Sequence, residues 1–61
     1  MRNITAEKLG PLYGYYAVEK DGKHVMGYYK ATEALACAER IASPGAVVKI
    51  FDKSNTEVLA L

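Results

Sequence analysis

The stretch LYGYYAVEK-DG-KHVMGYYK, Leu12 to Lys30, decides how this chain folds. Two runs rich in Tyr and Val flank the dipeptide Asp21-Gly22. Both residues tolerate the positive φ angles of a type I′ turn, so the stretch reads as a β-hairpin closed by a two-residue loop. That loop sets a register. Lys20 faces Lys23, Glu19 faces His24, Val18 faces Val25 and Ala17 faces Met26. Further from the turn, Tyr16 faces Gly27, Tyr15 faces Tyr28 and Gly14 faces Tyr29. Side chains alternate along a strand, so the register sorts them onto two faces. Leu12, Gly14, Tyr16, Val18, Val25, Gly27 and Tyr29 form the expected core face, with each glycine making room for a tyrosine ring. Tyr13, Tyr15, Ala17, Glu19, His24, Met26, Tyr28 and Lys30 form the other, amphipathic face.

Downstream, Ala31 to Ala42 reads as a helix. Thr32 is the expected N-cap, and Glu33 sits in the first turn, where the helix dipole favours an acid. Ala31, Ala34, Leu35, Ala38, Ile41 and Ala42 fall on one stripe at helical spacing. A stripe so rich in alanine lets the helix lie close to a sheet, with the rings of Tyr16 and Tyr29 filling the space around it. Ser43-Pro44-Gly45 ends the helix. Ala46 to Asp52 reads as a third strand, and Glu57 to Leu61 as a fourth after the turn at 53–56. Their pairing puts Ile50 opposite Leu59, Val48 opposite Leu61, Lys49 opposite Ala60 and Phe51 opposite Val58. Asp52 then faces Glu57, a mild repulsion. The expected fold is α+β in the order ββαββ: an antiparallel sheet of three to four strands with one helix packed on one face.

Upstream, residues 1–11 read as an N-terminal arm and 12–61 as a single small domain. Thr5 to Leu9 either forms one helical turn stopped by Gly10-Pro11 or remains an extended, mobile tail. The triplet Asn3-Ile4-Thr5 matches the glycosylation pattern, but it reads as a chance match in a cytosolic chain.

At 61 residues the chain holds one domain at most. A domain of this size buries only about 60% of its unfolded-chain surface and is marginal alone. Its single cysteine excludes an internal disulfide, and one cysteine with one histidine cannot complete a tetrahedral zinc site. Self-association or unusually good packing remains. The composition, 51% hydrophobic and 25% charged, is that of a globular chain rather than a disordered one. A net charge of +1 supplies little electrostatic drive toward nucleic acid. No uncharged run is long enough to span a membrane. A lone thiol and the lack of a signal-peptide pattern point to the cytoplasm.

Little in the sequence supports catalysis. Cys37 falls on the helix flank and His24 on the far sheet face, so nucleophile and base are not expected to meet. Glu19 and His24 are cross-strand neighbours near an exposed hairpin end. The five glycines show no phosphate-loop spacing. No catalytic residue, metal site or cofactor is expected.

The face left without a helix is the expected binding site. Tyr13, Tyr15 and Tyr28 are its anchors, Met26 and Phe51 its apolar fill, and Lys30 and Lys49 its rim. Tyrosine and methionine are enriched at protein interfaces. The expected function is a non-enzymatic interaction module that forms a homodimer through this face or through an edge strand. One alternative occupant is single-stranded nucleic acid, with bases stacked on the same rings. A third is the N-terminal arm, reaching over the face through Ile4 and Leu9. The architecture also resembles many short bacterial and phage domains, among them small accessory proteins of phages and mobile elements. That resemblance implies a protein that binds and inhibits a host protein.

Overall fold

A computed structural model describes residues 5–61. A short 3-10 turn, Ala6–Lys8, leads into strand β1, Tyr13–Lys20, and strand β2, Lys23–Lys30. Helix α1, Ala31–Ile41, follows without a loop, and strands β3, Val48–Asp52, and β4, Glu57–Ala60, complete the chain. The four strands form one antiparallel sheet in the order β2-β1-β3-β4. The α+β fold and its ββαββ order are as the sequence predicts, with all four strands formed.

The hairpin turn has the expected chemistry. Asp21 and Gly22 both adopt positive φ, 53° and 81°. Asp21 also ties the turn to β3. Its N–H donates to the Val47 carbonyl at 2.7 Å, and its Oδ1 accepts the Val47 N–H at 3.0 Å.

The register departs from the simple reading after two pairs. Lys20 faces Lys23 and Glu19 faces His24, but Val18 then faces Met26, Ala17 faces Gly27 and Tyr16 faces Tyr28. Val25 is the extra residue, a β-bulge on β2. A compensating irregularity lies at Gly14 and Tyr15, because Tyr13 again faces Lys30. Each slip of one residue moves side chains to the opposite face. Between the two bulges, Met26 and Tyr28 therefore join Val18 and Tyr16 on the helix side. Gly27 and Tyr29 join Tyr15 and Ala17 on the open side. The expectation that Tyr28 and Met26 lie on the open face is corrected by this slip. So is the expectation that Tyr29 packs beneath the helix: it is 73% exposed.

The helix differs from expectation at its start. Lys30, not Thr32, occupies the cap position, and no side chain caps it. The N–H of Ala31 is satisfied instead by the Leu12 carbonyl at 2.8 Å. The residue just before β1 therefore satisfies one of the unpaired N–H groups at the helix start. Ala31, Ala34, Leu35, Cys37 and Ala38 form the buried stripe. Ala42 donates its N–H to Ala38, and Gly45 at φ 85° turns the chain toward β3.

β4 carries a third irregularity. Ile50 faces Leu59 and Lys49 faces Ala60, and Val48 exchanges backbone hydrogen bonds with Leu61. Phe51, however, faces Glu57, so Val58 is the extra residue and packs against the core instead. The expected Phe51–Val58 and Asp52–Glu57 pairs do not form. The Asp52 N–H donates to the Thr56 carbonyl, and its carboxylate holds the turn by accepting N–H bonds from Ser54 and Thr56.

The core lies between helix and sheet: Tyr16, Val18, Val48 and Ile50 from the strands, the alanine stripe from α1, and Leu9 from the N-terminal segment. Leu9 is buried on the helix side, so it does not reach over the open face. Asn3 and Ile4 lie outside the described residues. The Tyr16 hydroxyl donates to the Pro11 carbonyl at 2.7 Å and pins that segment down. Burial, with the nearby Asp52 charge second, raises the Tyr16 pKa above the ordinary 10.0.

Candidate interaction face

The face of the sheet opposite α1 is built from alternate residues of the four strands. Gly27, Ala17, Phe51 and Glu57 stand in one row across it, and Glu19, Lys49 and Ala60 in the next. Tyr15 supplies the main bulk. Its ring lies over Gly27, where an added Cβ would meet Tyr15 Cε1 at 2.6 Å. Only the missing side chain lets the ring sit there. Gly14, expected to host Tyr29, has nothing within 4 Å of its Cβ position.

Tyr29 leans against Tyr15, with ring centroids 5.5 Å apart and planes tilted at 58°. That is a favoured aromatic geometry. Phe51 is half-buried beside Ala17. Lys49 and Glu57 form an ion pair at 3.2 Å, with both side chains more than 40% exposed. It borders the aromatic group and contributes little to stability in water.

The seven residues singled out from the sequence therefore separate. Tyr15, Phe51 and Lys49 are together on the open face. Tyr13, 76% exposed, lies past the Gly14–Tyr15 bulge, opposite Lys30. Lys30 is exposed at the junction of β2 and α1. Met26 is 52% exposed on the edge strand but in register with Val18. Tyr28 is half-buried against the core, its hydroxyl beside Cys37 and Arg40. Contact with the Cys37 thiol, with burial second, raises its pKa, and Arg40 opposes that shift.

Gly27 and Tyr29 lie on the open side instead of the expected core side, and Met26 and Tyr28 on the helix side instead of the open one. A signal for one bulge was present: a lone glycine inside a strand pattern, Gly14, marks such a site. No equivalent signal marks Val25.

Cys37 belongs to the buried stripe of α1 rather than to its flank, and His24 is exposed near the hairpin turn opposite Glu19. Among the described residues no group of three His, Cys, Asp or Glu side chains is placed to hold a metal ion. Among the same residues no helix is long and apolar enough to cross a membrane. Comparison with protein-family models, curated proteins and solved structures finds no match for this chain.

Proposed function

We propose that this chain is a non-enzymatic interaction module whose uncovered sheet face pairs with the same face of a second copy. The observation that carries the reading is Tyr29. It is a large ring left 73% exposed, leaning at a tilt against a second ring that has its seat over a glycine. Exposed aromatic groups on an otherwise uncovered face mark interaction sites.

Size supports a second copy as the occupant. The molecule is a slab of 29 × 26 × 15 Å. Its two longer extents bound an outline of 29 × 26 Å, so the ~800 Å² per partner of a standard stable interface would take up most of a broad side. A two-fold axis lets one self-complementary patch serve both partners. Sheet-on-sheet packing then completes the second half of the sandwich that a single helix leaves open.

The same rings are a poor platform for single-stranded nucleic acid. Tyr28 has moved to the core side, and Lys49 is already paired with Glu57. An NMR dilution series tests the proposal. Concentration-dependent amide shifts are expected at Tyr15, Ala17, Gly27, Tyr29 and Phe51. Shifts confined to α1, or none at all in a chain of monomer mass throughout the series, would refute it. Saturable, steeply salt-dependent binding of single-stranded DNA on these rings would favour the nucleic-acid reading instead.

A further inference from the structure

Register leaves one corner of the sheet unfinished. β3 ends at Asp52, opposite Tyr16, while β1 runs on through Tyr15, Gly14 and Tyr13. The space where β3 would have continued is a cleft of about 150 Å³. Tyr13, Tyr15, Asp52, Lys53, Ser54 and Pro11 line it. It is smaller than the ~300 Å³ and upward typical of drug-sized ligands, so it suits a single side chain.

Its chemistry is specific. The Asp52 carboxylate is half-buried and held in place by the Ser54 and Thr56 N–H groups, at 2.8 and 3.0 Å. Both bonds fall on Oδ1, which leaves Oδ2 to accept from outside. Among the described residues the ion pair formed is Lys49–Glu57, so Asp52 has no cation of its own within 4.0 Å. A fixed carboxylate beside two tyrosine rings is a recognition set for a flat cation. The free Oδ2 accepts a charge-assisted N–H bond, and the rings attract the cation to their faces. A planar guanidinium can donate to Oδ2 while its face lies on a ring, whereas an ammonium offers only a point charge.

The geometry points to this cleft as a receptor for an arginine side chain presented by a partner protein. This assignment stands apart from the pairing of two open faces and is tested without it. Lys53 is the built-in competitor: it shares the cleft and repels an incoming cation.

The test is an NMR titration of the intact chain with N-acetyl-arginine-methylamide, alongside its lysine and citrulline counterparts. Saturable shifts are expected at Gly14, Tyr15 and Ser54 with the arginine probe. The lysine probe should bind more weakly, and neutral citrulline should give no saturable shift. Asp52→Asn keeps an oxygen to accept the Ser54 and Thr56 N–H bonds but removes the charge. It should weaken arginine binding about tenfold while the rest of the spectrum stays native. Lys53→Gln should move affinity the other way, by roughly threefold. Three results would overturn the assignment: equal binding of citrulline, an Asp52→Asn variant that binds as well as the parent, or no shifts up to the solubility limit of the probe.

Discussion

The two faces of one sheet use the same residue type for opposite purposes. On the helix side Tyr16 is 2% exposed, packed among Val18, Ile50 and the alanines of α1, and its hydroxyl is tied to Pro11. One residue earlier, Tyr15 lies on the open side over Gly27. The same split recurs on β2, where Tyr28 joins the core and Tyr29 stands in solvent. Position relative to the pleat, not residue type, decides which ring stabilises the fold and which is free to bind. The helix side is sealed because alanines bring α1 close. Among the described residues the open side has no such cover and holds its rings with glycine and with each other.

The largest effect that separates the faces is expected in the core. Ile50→Ala should cost about 2–5 kcal/mol in chemical denaturation. That is comparable with the whole stability of a chain this short, about 3–9 kcal/mol. Phe51→Ala, one residue along the same strand, should cost far less in the monomer and act mainly on association. Equal losses at the two positions would mean that the open face is also core.

Next is the seat under Tyr15. Gly27→Ala should displace the ring and break its contact with Tyr29, costing about 1–2 kcal/mol. Near-ultraviolet circular dichroism and the aromatic NMR signals report the lost contact. Unchanged spectra would show that the ring does not need the glycine.

Tyr16→Phe removes the bond to Pro11 and should cost about 1 kcal/mol. It should also change the alkaline limb. The native pKa of Tyr16 is raised, so its contribution is fully present below pH 10.0, the ordinary tyrosine value, and is lost as pH climbs from there through the native pKa. Over that window the unfolded chain has released the proton and the native chain still holds it. Denaturation midpoints measured across alkaline pH should therefore fall less steeply in the Phe variant. The smallest effect belongs to the rim: Lys49→Ala should change stability by less than about 1 kcal/mol, which a denaturant titration at two salt concentrations checks.

Much of this fold is legible in the residues. Asp21-Gly22 specifies the turn, the alanine stripe specifies the helix, and alternation around Val48 and Ile50 specifies β3. The faces of the hairpin are ambiguous in sequence because both strands contain the triplet Gly-Tyr-Tyr, at 14–16 and 27–29. A slip of one residue there exchanges one tyrosine for another, so the apolar pattern scores both registers alike. The helix decides between them, and it is distant in sequence. It accepts Tyr28 beside Cys37 and Arg40 and leaves Tyr29 outside. The cleft at Asp52 is not legible in the residues for a related reason. It arises from β1 outrunning β3, a length mismatch visible only once the strands are aligned.

The central claim is that the open face belongs against its own copy, and the solution mass tests it most directly. Light scattering over a concentration series near neutral pH should give twice 6.7 kDa for the parent chain. Tyr29→Ser, which removes an exposed ring without touching the core, should return the mass to 6.7 kDa. A parent chain that stays at 6.7 kDa at every concentration would contradict the account. So would a dimer that survives Tyr29→Ser unchanged.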